Sequence, residues 1–184
     1  MSIINRILFK LSAFCRCRVI NGPDKTPYLE RYHLFRLPLG CHVFLHRFVA
    51  SDPGRGLHNH PWQSACSFLL SGKYEEIRMA DAREENQLRS ATIRAGSFNW
   101  INGREFHRIN LIDDIECWTL FVHGRKTKSW GFLQKQHQSY AFHDHQQVLE
   151  QPANSQWWKT RAKPSQCPSM RKPLSPNAEH CART

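Results

Sequence analysis

Between residues 28 and 132, apolar and polar positions change places every one or two residues, in short runs punctuated by glycine, proline, asparagine and aspartate. Such alternation marks half-buried β-strands, because successive strand side chains point to opposite faces. Residues 41–49 set Val43, Leu45 and Val49 against His42, Phe44, His46 and Phe48, whereas residues 28–37 alternate only loosely. The Pro38-Leu39-Gly40 joint predicts that these two runs are adjacent strands. Further strands are expected over 65–70, 73–79, 90–94, 97–101, 106–112 and 117–123, with a polar excursion at 81–87 and a last apolar contact at Trp130-Gly131-Phe132. Little helix separates them, and turn signals recur every 8 to 12 residues or so, which fits an all-β sandwich or barrel.

The two ends of the chain depart from that pattern. Ile3, Ile4, Ile7, Leu8 and Leu11 fall near helical spacing, with Arg6 and Lys10 on the other side, which predicts a short amphipathic helix packed on the domain. Beyond about residue 146 the alternation stops, and residues 151–184 hold six Lys/Arg against one acid together with five of the ten prolines. A solvated, disordered tail is expected there, with Trp157 and Trp158 as its docking residues. The organisation read from this is a helix over 1–21, a β-domain over 22–146 and a basic, Pro-rich tail over 147–184.

Charge and cysteine content narrow the function classes. The formal charge of +11 points to a polyanionic partner, but almost half of the excess lies in the tail. Weak nucleic-acid association through that tail is therefore the expectation. No apolar run is long enough for a transmembrane helix. Arg6 and Lys10 interrupt the N-terminal apolar segment and no small-residue cleavage site follows, so no signal peptide is expected. The seven cysteines are irregularly spaced, which reads as reduced thiols in a cytoplasmic protein.

The chemistry centres on residues 56–72, GLHNHPWQSACSFLLSG. Residues two apart on a strand share a face, with Cβ atoms roughly 6 to 7 Å apart. His58 and His60 can therefore share one metal ion. Two imidazoles seldom hold a divalent ion unaided, so a third ligand is required. His107 is the choice, because it follows the glycine-bounded hairpin at 96–103 and begins a strand.

With His107 included, the spacing resembles the cupin family. His58 and His60 occupy the paired positions of the first cupin motif and Gly72 its closing glycine; Gly96 opens the second motif and His107 stands on its histidine. Asn110 lies one residue short of the motif's asparagine, and Asn102 and Arg104 replace its proline and glycine. The resemblance implies a cupin-type jelly-roll β-barrel with a metal at its open end, and pairing of two barrels as a homodimer. The glutamate that the family places four or five residues after the second histidine is replaced by Ser64 or Ala65, of which Ser64 keeps the parity of His60. A neutral set of three histidines suits Fe(II), Zn(II), Ni(II) or Mn(II), with Fe(II) favoured. Three-histidine thiol dioxygenases are a similar branch, and their Ser-x-His-x-Tyr strand aligns with Thr119, Phe121 and His123, two of the three roles being changed. Small bacterial and phage cupin-like proteins with an HxHPW stretch and a late WGF are similar too.

Around this centre, His46 is expected to hydrogen-bond the ligands and Arg47 to meet a substrate carboxylate. Trp62, with Trp100 and Trp118, would form an aromatic wall or core. His123 and Arg125 complete the expected substrate site, the latter in a basic loop that would gate an anionic molecule. The expected function is Fe(II)-dependent dioxygenase-type chemistry on a small molecule. The other reading is a non-catalytic ligand-binding or sensory barrel, which the missing glutamate favours.

Overall fold

The computed structural model describes residues 2–79, 88–137, 139–148 and 156–174. The polar excursion expected at 81–87 lies outside the described residues, as do tail residues 149–155 and 175–184. Helix α1 (Ile3–Ser12) leads into β1 (Arg16–Asn21), β2 (Pro27–Arg36) and β3 (His42–Phe48). Next come β4 (Leu57–His58), β5 (Ser64–Ser71), β6 (Lys73–Met79), β7 (Arg89–Arg94), β8 (Phe98–Asn102) and β9 (Phe106–Leu111). The chain continues through β10 (Cys117–His123), β11 (Gly131–Gln136), β12 (Ser139–Asp144), α2 (His145–Val148) and α3 (Trp157–Thr160).

The strands form two six-stranded sheets, in the orders β1-β2-β3-β10-β5-β8 and β12-β11-β4-β9-β6-β7. All pairings are antiparallel. Among the described residues no ladder joins one sheet to the other. The architecture is thus a two-sheet sandwich with short helices, where the sequence reading expects an all-β barrel. The expected β2–β3 neighbours do pair, across a 3₁₀ turn at Pro38–Gly40.

Strand parity decides which residues meet between the sheets. On β3 the residues His42, Phe44, His46 and Phe48 face a central cavity, and on β10 Thr119, Phe121 and His123 do the same. Leu29, Phe48 and Leu69 of the first sheet pack against Tyr74, Ile109 and Leu111 of the second, which closes one end of the interior. The opposite parity points outward. Tyr32, Leu45 and Trp118 form a second apolar cluster behind the first sheet, covered by Leu8, Phe9, Met170 and Leu174.

The expected helix is present, but its apolar face is not what packs. It buries Asn5 and Ser12 and lays Leu8 and Phe9 on the outer cluster, while Ile3, Ile4, Ile7 and Leu11 remain exposed. Asn5 Nδ2 reaches a carboxylate of Glu116, which explains why a polar residue occupies the covered side.

Residues 156–174 are packed where a disordered tail is expected. Trp157 is buried in a cluster with Phe44, Trp62 and Phe121. Further along, Ser165 N–H donates to the Ala13 carbonyl and Arg171 to the Phe9 carbonyl. Arg47 is the anchor. Its guanidinium is 1% exposed, pairs with both Glu30 and Glu116, and donates to the carbonyls of Lys172 and Pro173 at 2.7 and 2.8 Å. The Lys172 N–H returns a bond to Glu30 at 2.7 Å. Arg47 therefore points away from the cavity, and the expected contact with a substrate is corrected to a structural one. Removing the cation strands two buried carboxylates, which costs about 3 to 5 kcal/mol. Arg47→Ala is expected to lose that much in urea unfolding and to expose residues 165–174 to protease; a loss below about 1 kcal/mol would show that this network does not hold the segment.

Candidate metal centre

Strand β4 is only two residues long, and His58 ends it, directly opposite His107 on β9. His60 therefore lies beyond the strand, so strand parity alone does not place its ring beside His58. Asn59 does. Its N–H donates to the Gly131 carbonyl at 3.1 Å and its Oδ1 accepts from the Gly131 N–H at 2.9 Å, so the middle residue of His-Asn-His is clamped outward to β11. A Cβ on residue 131 would meet the His143 carbonyl at 2.2 Å, so only glycine permits that approach. The two flanking imidazoles are left on the cavity side.

The three rings converge. Ligand-capable nitrogens of His58, His60 and His107 all lie within 4.8 Å of one another, and His60 Nε2 stands 2.8 Å from His107 Nε2. This trio can hold a divalent metal ion, and its members are those read from the sequence. His107 Nδ1 is 2.5 Å from Glu76 Oε1. A carboxylate only accepts, so Nδ1 donates to it and Nε2 is the nitrogen turned to the common point. His58 Nδ1 lies 3.7 Å from Asp52, a buried carboxylate held by the Ile109 N–H at 2.8 Å.

Burial sets the charge state. It pushes His58 and His60 well below the usual imidazole range, and the neighbouring His107 adds to the effect. Both rings are neutral at pH 7, so each keeps one ring nitrogen able to accept a metal ion. Burial pushes Glu76 up, but the hydrogen bond and charge of His107 together with Arg78 outweigh it and hold the carboxyl below its ordinary value. The ligating set contains no carboxylate, yet two carboxylates stand behind it and would partly balance a divalent charge. The sequence reading missed both. Glu76 shares its parity on β6 with the buried Tyr74, and a glutamate on a buried strand face was the available signal.

The remaining predicted residues divide. His46, Trp62 and His123 line the cavity of about 760 Å³, with Arg125 exposed at its rim. Trp62 stacks between His60 and His123, at centroid distances of 4.6 and 4.1 Å, and its buried Nε1 has no partner among the described residues. Gly103 packs against the Trp62 carbonyl so closely that a Cβ would sit 1.7 Å from it. Trp100 is 64% exposed and is neither wall nor core, whereas Trp118 is core, buried in the cluster behind the first sheet. Ala65 rather than Ser64 faces inward, with Trp62 and Phe121. The parity rule fails because the segment between His58 and β5 is not strand. Arg31, absent from the sequence reading, enters the cavity and donates from Nε to His46 Nε2 at 3.0 Å.

No protein-family model matches the chain, and no curated protein matches it. Solved structures do resemble it. An oxalate oxidase is 18% identical, covering 61% of this chain and 59% of that one, with a TM-score of 0.47. The Lactobacillus farciminis oxalate decarboxylase, in its formate complex, is 15% identical over 63% of this chain and 32% of its own, with a TM-score of 0.47. FeII HppE in complex with substrate is 12% identical over 61% and 57%, with a TM-score of 0.48. The chain thus spans about three fifths or less of each of these proteins. Similarity at this level assigns neither activity nor substrate.

Two outcomes follow from the geometry. Glu76→Gln keeps the shape but weakens the acceptor behind His107, and is expected to lower metal affinity about 10- to 100-fold in a competition titration, with the melting curve still cooperative; unchanged affinity would remove Glu76 from the centre. The second concerns pH. Unfolded imidazoles take a proton near pH 6.5, whereas folded His46, His58 and His60 resist it and His123 is pushed down to about 3. The unfolded chain then binds more protons below pH 6.5, so stability present above that pH is lost as the pH falls toward the folded values. Each ring contributes up to about 1.4 kcal/mol per pH unit. Metal-free protein is expected to unfold at clearly lower urea at pH 5.5 than at pH 7.5, and equal midpoints would show that the folded rings are already protonated.

Proposed function

We propose that this chain is a metal-dependent oxidoreductase of cupin type, with a jelly-roll fold, that uses Fe(II) to oxygenate a small anionic molecule. The observation that carries the reading is the convergence of three histidine nitrogens on one point of a cavity large enough for a substrate. His58, His60 and His107 would hold the ion and leave coordination positions open toward the cavity. Bound there, Fe(II) would supply the Lewis-acid and redox chemistry that the side chains themselves lack.

The other residues act around that point. Glu76 keeps the His107 proton on Nδ1, and Asp52 stands behind His58. The unpartnered Trp62 Nε1 is a donor available to substrate. His123 donates its Nδ1 proton to the Gly124 carbonyl at 2.8 Å, so its Nε2 remains an acceptor, and its depressed proton affinity keeps it neutral. Phe44, Phe121 and Trp157 exclude water on the first-sheet side. Arg125 at the rim would draw anions inward.

Elemental analysis of protein purified with supplied Fe(II) tests the centre. Wild type is expected to retain about one equivalent of metal and the His58→Ala, His60→Ala double variant almost none. Oxygen-electrode assays of the loaded protein with small acids and thiols then test turnover. Equal, sub-stoichiometric metal in both proteins would end the metal reading. Tight metal binding with no oxygen uptake across the panel would leave the passive ligand-binding barrel as the function.

A further inference from the structure

Arg18 on β1 stands directly opposite Arg31 on β2, Arg31 opposite His46 on β3, and His46 opposite Thr119 on β10. All four line the cavity, forming one row across the first sheet, which faces the histidine centre on the second. Like charges at directly opposed positions of an antiparallel pair are destabilising, and here both are partly buried. Among the described residues no carboxylate pairs with either of them. Glu30 and Glu116 point behind the sheet to Arg47, and Asp52, which also borders the cavity, is held by the Ile109 N–H beside His58.

The row is built to present donors. Arg31 Nε is engaged by His46, which fixes the plane of the guanidinium and leaves its terminal amino groups with no acceptor among the described residues. Thr119 Oγ1, on a residue 1% exposed, has no partner among the described residues. Burial and the adjacent Arg18 push the Arg31 guanidinium down to about 10, and burial and Arg161 lower that of Arg18. A repelling, donor-only pair on a cavity wall is stable once a ligand supplies the negative charge and the acceptors.

We propose that Arg18 and Arg31 form a phosphate-monoester site, so that the substrate is a small phosphorylated molecule with its phosphate on this row and its other end at the histidines. A phosphate monoester carries about −1.5 to −2 charge at pH 7 and three acceptor oxygens, which matches two arginine forks, whereas a carboxylate neutralises only one of them. Packed sheets lie about 10 Å apart, a span that a short carbon skeleton bridges. The phosphate site stands on the row alone; the bridging to the histidines rests on the metal-enzyme reading above.

The test uses the full chain, treated with chelator, in calorimetric titrations with phenyl phosphate, benzoate and a short single-stranded DNA. Phenyl phosphate is expected to bind, benzoate at least about tenfold more weakly, and DNA not to compete. Arg18→Gln and Arg31→Gln should each weaken phenyl phosphate at least about tenfold, while the exposed Arg94→Gln leaves it unchanged. Without ligand, both cavity variants should melt no lower than wild type, because a like-charge pair is gone. If Arg31→Gln does not fold, Arg18→Gln carries the same comparison.

No phenyl phosphate binding by wild type, equal binding by either variant, or equal affinity for benzoate would overturn the site. DNA binding tighter than phenyl phosphate with the same arginine dependence would assign the row to nucleic acid instead. The two readings fail separately. Phosphate binding retained by the His58→Ala, His60→Ala chain supports the row whatever the metal does, and a wild type that binds metal but no phosphate keeps the centre and loses the row.

Discussion

A carboxylate buried behind an imidazole is the interaction on which the rest of this structure depends. Glu76 is 2% exposed, and an ionised group at that depth is tolerated only when its oxygens are met by donors. His107 supplies one, Asn99 Nδ2 a second at 2.9 Å and Arg78 a third at 2.9 Å. Asn99 belongs to β8 of the first sheet and Glu76 to β6 of the second, so the carboxylate that orients a ligand also ties the two sheets together. Asn99 in turn reaches the Tyr74 hydroxyl, fixing the side chains that close this end of the cavity.

Electrostatics of the cavity follow from that arrangement. Neutral imidazoles bind a cation without repelling it, but a divalent ion brought among arginines is opposed by them. Glu76 and Asp52 would offset such an ion from behind the rings, and an anion on the opposite wall would offset the arginines. Metal and anion would then favour each other's binding through the field they share, with no movement of the backbone required.

The histidine trio was legible because each member is marked locally: a His-x-His between glycines, and a histidine at a strand start after a glycine-bounded hairpin. What surrounds it was not. On β3 the alternation was read correctly, but which parity faces inward is decided by α1 and by residues 162–174 covering the other side, and nothing within β3 records that. For this reason Arg47 faces away from the cavity, while Arg31 of β2, which had no assigned role, enters it. Strand β2 hides its own parity, since its register with β3 shifts between His33 and Phe35. Ser64 was preferred to Ala65 on strand parity that the non-strand segment after His58 interrupts. The docked segment at 156–174 was masked by its composition: lysines and prolines suggest solvation, whereas its anchoring uses backbone carbonyls, which any sequence possesses.

The wall that Trp157, Trp158 and Arg161 contribute to the cavity comes from a part of the chain some distance downstream of the ligands at 58, 60 and 107. A ribosome therefore releases the complete histidine trio well before the residues that roof it. Each of the three histidines is thus on the growing chain before any of the residues that complete this wall, and the wall is a late addition to a cavity whose ligand residues are already made.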